Sequence, residues 1–228
     1  MRRALIVVAK QPAPGHTKTR LSPPFDASQA SALYECFLRD TLEIVRTAQA
    51  MLDFQPIITY LPEGAEPYFH KLAPDFRLLL QQGRDLSERL HNATARCLTE
   101  EGCQQAVIMD SDSPTLPVDC LIKAFKELDN ADVSLGPCAD GGYYLIGLKA
   151  PAPRLFLDVT MSTPHVVADT LACAAQEGLQ VAMLPTSYDI DYVDDLRRLV
   201  AELRTLPTEI APHTRGFLAK TPSVHEVL

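Results

Sequence analysis

Apolar and polar residues alternate along this chain in two kinds of block. Short apolar runs, of the four to eight residues typical of buried strands, are separated by longer stretches with the three- and four-residue apolar spacing of amphipathic helices. The predicted strands are residues 4–9, 54–61, 76–80, 106–109, 133–136, 143–148 and 179–184, and the predicted helices are residues 27–51, 85–98, 118–128, 163–176 and 194–206. This alternation predicts an α/β fold with a mostly parallel sheet covered by helices on both faces.

The sixth predicted strand departs from the parallel order. A short segment centred on Asp140-Gly141-Gly142 separates residues 133–136 from residues 143–148, and it is too short to hold a crossover helix. We therefore expect residues 143–148 to run antiparallel to their neighbours, which makes the sheet mixed.

The end of the chain has a different composition. Prolines at positions 207, 212 and 222 interrupt the pattern after the last predicted helix. The 228 residues can bury one full core and fit one large domain better than two small ones. We therefore predict a single domain over residues 1–206 and an irregular C-terminal tail of uncertain order over residues 207–228.

Charge and composition argue against several classes of function. The formal net charge of -8 and the isoelectric point of about 5.2 argue against a nucleic-acid partner, because binding a phosphate backbone needs a basic face. No run approaches the roughly 20 apolar residues that span a bilayer, and the apolar segment after Arg3 ends at Lys10, so we expect a cytoplasmic protein. The six cysteines and six histidines form no CxxC, HxxxH or HExxH pair, which argues against a zinc or histidine-based metal site.

A basic loop follows the first predicted strand. It begins at Lys10, is shaped in part by Pro14 and Gly15, and ends with the hydrogen-bond donors Lys18 and Arg20. The loop is not a Walker A motif, because threonine precedes its lysine and the first glycine of that motif is missing. We predict that these five residues form a binding loop for nucleotide phosphates. The alternative is a solvated loop whose basic residues pair with surface acids.

Two acidic segments lie far apart in the sequence. Asp110 and Asp112 follow the short central strand, at the edge where open α/β sheets bind ligands, and Asp189 and Asp191 precede the last predicted helix. Alternate residues of an extended segment point the same way, so each pair can present both carboxylates to one ligand. If the fold joins the pairs, they form a divalent-metal site of hard oxygen ligands. The alternative is that individual aspartates cap a helix or tie down a turn.

The segment Asp140-Gly141-Gly142 allows two interpretations. Asp-Gly-Gly is a strong signal for a tight hairpin. The paired glycines Gly141 and Gly142 would also let the backbone approach a sugar or phosphate closely, with Asp140 accepting hydrogen bonds from hydroxyl groups. Both interpretations can hold together, and we predict that the three residues contact the sugar or the acceptor.

Five motifs together resemble a known family. They are KxPxPGxxKTRL at residues 10–21, DSDSPTLP at 110–117, GPxxDGGYYLIGL at 136–148, STPxV at 162–166 and DxDxxxDL at 189–196. As a set they resemble the bacterial DUF2064 glycosyltransferase group, which includes arsenosugar-biosynthesis glycosyltransferases and is placed among the GT-A, nucleotide-diphospho-sugar transferase folds. The chain is also similar to the guanylyltransferases of molybdenum-cofactor and F420 biosynthesis.

The resemblance implies a GT-A-like, three-layer α/β/α fold and a metal-dependent transfer of sugar from a nucleotide-diphospho-sugar to an unknown small-molecule acceptor. Lys18 and Arg20 would meet the phosphates, and Gln81 would lie near the base. Asp112 and Asp191 would hold Mg²⁺ or Mn²⁺, and we predict catalytic roles for Asp112 and Asp140. A nucleotidyltransferase that releases pyrophosphate is the alternative activity, and a non-catalytic nucleotide-binding protein is a third.

The chain departs from the family pattern at two places. It has Arg84-Asp85-Leu86-Ser87 where the group often has Gly-Asp-Leu-Gly, and Met161 where the group has tryptophan. An indole ring is a good stacking platform for a sugar, whereas a thioether is not. The second departure therefore concerns the acceptor end of the predicted site.

Overall fold

The computed structural model describes residues 1–221 as a sheet between layers of helices. The strands are β1 (Arg3–Lys10), β2 (Gln55–Leu61), β3 (Arg77–Leu80), β4 (Gln105–Met109), β5 (Val133–Pro137), β6 (Tyr143–Leu148) and β7 (Val181–Met183). The helices are α1 (Ala27–Met51), α2 (Glu66–Leu72), α3 (Leu86–Ala95), α4 (Val118–Glu127), α5 (Arg154–Leu157), α6 (Val166–Gln176), α7 (Val193–Leu203) and α8 (Pro212–Lys220). Each predicted strand and helix is present, with shifts of a few residues at some ends.

The strand order places a ligand-binding edge near β1. The order is β3-β2-β1-β4-β6-β5-β7, with β1 parallel to both of its neighbours. The antiparallel prediction is confirmed, because β6 is antiparallel to both β4 and β5. The chain passes from β1 to β2 on one side and later to β4 on the other. Open α/β sheets bind ligands at such a reversal, outside the carboxyl ends of the strands.

The two faces of β1 show how the layers form. Leu5 and Val7 pack with apolar residues of α1, α2 and α4, whereas Ala4 and Ile6 pack with residues of α3, α5 and α6. The three-layer α/β/α arrangement is therefore confirmed. A further apolar cluster joins the first half of α1 to α7 and α8, beside the end of the basic loop.

Some helical boundaries differ from the predictions. The helix predicted to start at residue 163 starts at Val166, because residues 163–165 form a turn in which Val166 N donates to Thr163 O at 3.4 Å. The helix predicted over residues 85–98 ends at Ala95 and continues as a π-helical turn, Arg96–Glu100. Helices α2 and α5 were not predicted, because each is too short to show a helical period.

The prediction of an irregular tail is wrong for much of residues 207–221. α8 packs against α1, and the buried Asp40 of α1, which is 2% exposed, caps its first turn. The carboxylate of Asp40 accepts hydrogen bonds from His213 N at 3.0 Å, Thr214 N at 2.8 Å and Thr214 Oγ1 at 2.6 Å. These contacts cross more than 170 residues of sequence, so no local pattern could reveal them. The rest of the predicted tail, residues 222–228, lies outside the described residues.

We predict that Asp40→Ala lowers the free energy of unfolding by roughly 1.5–3 kcal/mol, because it leaves buried donors of α8 without their charged acceptor. Urea unfolding of wild type and variant measures the difference. Glu43→Ala is the matched control, since Glu43 is an exposed residue of the same helix that pairs only at the surface with Arg46. Its loss should stay near 0.5 kcal/mol or below. Equal losses in the two variants would show that Asp40 does not anchor α8.

Candidate active site

A cleft of about 820 Å³ opens at the carboxyl edge of the sheet. Its walls come from the ends of β1 and β4, the start of β6, the first turn of α3 and the segments that precede α6 and α7. Most of the predicted site residues line it: Lys10, Lys18, Arg20, Gln81, Asp110, Asp112, Asp140, Gly142, Asp189 and Asp191. The fold therefore brings the basic loop and both acidic segments to one place.

Three predicted residues do not line the cleft. Pro14 and Gly15 lie in the exposed turn of the basic loop, where Gly15 adopts a φ of 74°. Gly141 has a φ of 94°, and a Cβ atom there would lie 2.0 Å from the backbone oxygen of Pro164. Glycine at position 141 thus permits close contact between the β5–β6 turn and the segment before α6. This packing supports the hairpin interpretation of Gly141.

The two acidic segments are joined by their backbones. Ile190 N donates a hydrogen bond to Asp112 O at 3.2 Å, which places Asp191 beside the turn that follows β4. Asp195, in the first turn of α7, accepts hydrogen bonds from Asp191 N and Tyr192 N at 3.1 and 2.7 Å. Asp195 thus has the capping role that was the alternative for an aspartate here, and Asp191 is left facing the cleft.

Lys18 joins the carboxylates of both segments. Its Nζ lies 2.8 Å from Asp112 Oδ2 and 2.7 Å from Asp191 Oδ1, and its side chain is only 6% exposed. Burial by itself lowers the pKa of Lys18, but the two adjacent carboxylates outweigh this effect and the net pKa is raised. Lys18 also has a φ of 49°, a left-handed conformation that is uncommon outside glycine. A buried and fully charged lysine is therefore held at the centre of the cleft.

Arg20 extends this ion pair toward the cleft mouth. Its Nη1 donates to Asp191 Oδ2 at 3.0 Å, and its guanidinium carbon lies 5.2 Å from the centre of the Tyr192 ring. Burial raises the pKa of Asp191, but the charges of Lys18 and Arg20 reverse the effect and the net pKa is lowered. The basic loop does pair with acids, as its alternative interpretation proposed, but these acids lie within the cleft.

Asp110 and Asp189 lack such neutralisation. Burial, followed by the charges of Asp112 and Asp189, holds the pKa of Asp110 well above its usual range. Burial, with the charges of Asp140 and Asp191, raises the pKa of Asp189 from 3.8 to about 6. Asp110 also accepts hydrogen bonds from Ser113 Oγ and Asp112 N. The alternative that an aspartate stabilises the turn after β4 therefore holds for Asp110. The cleft thus carries more carboxylates than its own cations neutralise.

The residues present fit a hard divalent cation. Oδ1 of Asp112 is buried and has no hydrogen-bond partner. Ligand atoms of Cys138, Asp140 and Asp189 also lie within 4.8 Å of one another. Burial raises the pKa of the Cys138 thiol, so the oxygen atoms, and not the sulfur, are the suitable ligands. A bound divalent cation would satisfy both the crowded carboxylates and the unpartnered carboxylate oxygen.

A buried hydroxyl network that the sequence did not reveal holds the strand ends. Lys10 N donates to Tyr34 Oη at 3.1 Å, Tyr34 Oη lies 3.0 Å from Ser111 Oγ, and Ser111 Oγ donates to Val8 O at 2.9 Å. The network fixes the ends of β1 and β4 relative to α1. Tyr34 lies on the apolar stripe of α1, so its sequence context indicates only a core residue.

Gln81 is also held by the backbone. Its Nε2 donates to Ala9 O at 3.2 Å and to Thr59 O at 3.0 Å, which ties the ends of β1 and β2 together. Both hydrogens of the side-chain amide are thereby used. The oxygen Oε1 remains as the atom of Gln81 that can accept a hydrogen bond from a ligand in the cleft.

The two departures from the family pattern differ in position. Arg84 is exposed and pairs with Glu88, away from the cleft lining. Met161 lies in the cleft wall, where Tyr143 Oη contacts its sulfur at 3.8 Å. The substitution of methionine for tryptophan therefore changes the surface that a ligand meets.

Comparison with known proteins identifies a family. The profile of the DUF2064 family, described as an uncharacterized protein conserved in bacteria, matches residues 44–163, which is more than half of the chain. A search of curated protein sequences finds no match.

Solved structures show the same fold. A candidate nucleotide-diphospho-sugar transferase from Desulfovibrio desulfuricans G20 is 28% identical, with a TM-score of 0.89 over 99% of this chain and 97% of that chain. The 4-diphosphocytidyl-2C-methyl-D-erythritol synthase of Anaerococcus prevotii DSM 20548 is 11% identical, with a TM-score of 0.58 over 89% and 98%. Rv0371c of Mycobacterium tuberculosis H37Rv, in complex with manganese, is 18% identical, with a TM-score of 0.52 over 88% and 98%. The fold is that of the nucleotide-diphospho-sugar transferases.

Among residues 1–221, no helix is both long and apolar enough to cross a membrane.

We predict that Asp189→Asn stabilises the ligand-free protein more at pH 7 than at pH 4. The pKa of Asp189 is higher in the folded than in the unfolded chain, so its contribution to stability falls as pH rises from about 4 through about 6. Asparagine removes that loss. Thermal melts from pH 4 to pH 7 measure the difference in stability between wild type and variant. Asp53→Asn is the control, because Asp53 is exposed and lies outside the cleft. A wild-type–variant difference that does not change with pH would contradict the prediction.

Proposed function

This chain belongs to the DUF2064 family of bacterial proteins, and we propose that it is a metal-dependent glycosyltransferase that uses a nucleotide-diphospho-sugar donor. One observation carries the proposal. Lys18 and Arg20 converge with Asp112 and Asp191 in a cleft at the strand-order reversal. Cations for phosphate and carboxylates for metal are the two requirements for stabilising a diphosphate leaving group. The acceptor is a small molecule, since the acidic chain does not suit nucleic acid.

The metal would be Mg²⁺ or Mn²⁺, held by Asp112 and Asp191 with Asp110 and Asp189 close by, and it would neutralise charge on the departing diphosphate. A protein of the same fold has been crystallised with manganese, which supports this choice. Lys18 contributes a point charge to the phosphates. Arg20 contributes a planar fork that can contact two phosphate oxygens at once.

Other side chains position the rest of the substrate. Gln81 offers Oε1 to the base or ribose, because its amide hydrogens are committed to the backbone. Asp140 is exposed at the β5–β6 turn, where its Oδ1 accepts a hydrogen bond from Gly142 N at 2.9 Å. Its Oδ2 can then accept from a hydroxyl of the sugar or acceptor. Tyr143 and Met161 form a wall that is more apolar than the charged end of the cleft.

A nucleotidyltransferase is the second candidate. The same cations and carboxylates would bind a nucleoside triphosphate and stabilise a pyrophosphate leaving group. The similarity in fold to a 4-diphosphocytidyl-2C-methyl-D-erythritol synthase favours this alternative. A non-catalytic nucleotide-binding protein is less favoured, because the cleft holds every charged residue that either chemistry requires.

The nucleotide product distinguishes the two candidate activities. Incubation with Mn²⁺ and a panel of nucleotide sugars should release a nucleoside diphosphate and no pyrophosphate, because the bond that breaks lies between sugar and phosphate. EDTA and Asp112→Asn should each reduce the release, whereas Asp194→Asn, an exposed change in the first turn of α7, should not. Chromatography of the nucleotides and a coupled pyrophosphate assay distinguish the products. Pyrophosphate that accumulates with product from nucleoside triphosphates would establish the second candidate instead.

The phosphate-binding role of Arg20 can be tested by a conservative substitution. Arg20→Lys should weaken diphosphate binding by roughly 1.5–3 kcal/mol, because a point charge cannot replace a two-pronged contact. Binding of the matching nucleoside, which has no phosphate, should change little. Calorimetry with nucleoside and nucleoside diphosphate makes the comparison. Equal losses for both ligands would mean that Arg20 supports the fold or the base pocket and does not bind phosphate.

A further inference from the structure

One ammonium group lies where the two predicted metal ligands meet. Lys18 Nζ contacts an oxygen of Asp112 and an oxygen of Asp191 at nearly equal distances, 2.8 and 2.7 Å. A divalent cation shared by those oxygens would have to lie beside or in place of this ammonium. Two cations at such a short separation would repel each other, because the Lys18 side chain is only 6% exposed and water screens its charge little. Lys18 and a shared metal ion therefore compete for the same carboxylate oxygens.

The remaining oxygens of the pair are not equivalent. Arg20 occupies Oδ2 of Asp191, so both oxygens of that carboxylate have cationic partners. Asp112 keeps Oδ1, which is buried and has no partner. A metal ion can therefore begin to bind at Asp112 but reaches Asp191 only after a cation has left. The ion pairs of the basic loop thus limit metal binding in the protein without nucleotide.

Hydrogen bonds hold the backbone around Lys18 in place, so any change of partner must come from movement of its side chain. The neighbouring Thr17 is buried, and its Oγ1 donates to Ala13 O at 3.2 Å. On the other side, Leu21 N donates to Lys18 O at 3.0 Å. A side chain that is 6% exposed cannot give up both carboxylates without a new anionic partner, because an unpaired buried ammonium is costly. A phosphate group in the cleft is such a partner.

We propose that Lys18 stands in for the divalent cation in the nucleotide-free protein and is exchanged for it when phosphate arrives. The inference rests on the proposed metal-dependent function and adds how metal binding is controlled. Metal alone binds weakly, since it must displace Lys18 without giving it a new partner. Metal and diphosphate bind together, since the phosphate receives the ammonium as the metal receives the carboxylates. The coupling is reciprocal, so each ligand raises the affinity for the other by the same factor.

The test measures binding of Mn²⁺ alone, without nucleotide, by electron paramagnetic resonance of the free ion. Lys18→Met should bind Mn²⁺ about tenfold or more tightly than wild type, within the range typical of coupled sites. Lys18→Arg, which retains the cation, should stay close to wild type. Lys123→Met is the matched control, because Lys123 is an exposed lysine of α4 outside the cleft, with no ion-pair partner among residues 1–221. Its loss changes the net charge equally without freeing Asp112 or Asp191.

Two further variants locate the ion and guard against misfolding. Lys18→Met combined with Asp112→Asn should lose the gain in affinity, which places the ion at this carboxylate. Lys18→Gln gives a second neutral side chain, and thermal melts establish that each variant is folded. Equal Mn²⁺ affinity for wild type and both neutral variants would overturn the exchange and leave the metal-dependent function standing. Absence of Mn²⁺ binding by every variant, with donor turnover that resists EDTA, would overturn the metal dependence and the exchange with it.

Discussion

The cleft depends on one buried ammonium group. Lys18 joins the basic loop after β1, the turn after β4 and the segment before α7, which are separated by up to 173 residues of sequence. The strand order brings these segments to one edge, but it also brings their carboxylates close together. Without a cation between them, the like charges of Asp112 and Asp191 would repel each other. The shape of the site therefore rests on the charge of Lys18.

Stability does not by itself explain this pairing. Buried ion pairs are weak evidence for stability, since the cost of desolvating both charges can exceed their attraction. Lys18 also has a left-handed backbone, which costs on the order of 1–3 kcal/mol for residues other than glycine. Asp112 retains an unpartnered buried oxygen, and Asp110 retains a strongly raised pKa. Such features do not add to stability, and the proposed polyanionic ligand with its counterion would satisfy the unpartnered oxygen and the crowded carboxylates.

The sequence predicted what local patterns determine. Apolar runs located each strand, and the short Asp-Gly-Gly connection predicted the antiparallel β6. Motif resemblance brought the acidic and basic residues into one site before their contacts were known. Long-range contacts were missed: Asp40 reaches α8 across the chain, and Tyr34 reads as a core residue although its hydroxyl fixes two strand ends. The contacts of Lys18 with Asp112 and Asp191 were missed for the same reason. Considered separately, the lysine was assigned to phosphate and the two aspartates to a metal ion.

The two ends of the cleft separate two tasks. Under the proposed function, the part of the cleft with Lys18 and Arg20 would bind phosphates, which the transfer of either a sugar or a nucleotide requires. The wall with Tyr143 and Met161 is held where the β5–β6 turn packs against the segment before α6, and Gly141 permits close backbone contact there. Methionine is flexible and offers no flat ring, so under the proposed function this wall would select an acceptor by shape and apolar contact more than by stacking on a sugar. Changes at that wall can alter the acceptor without disturbing the charges that stabilise the leaving group.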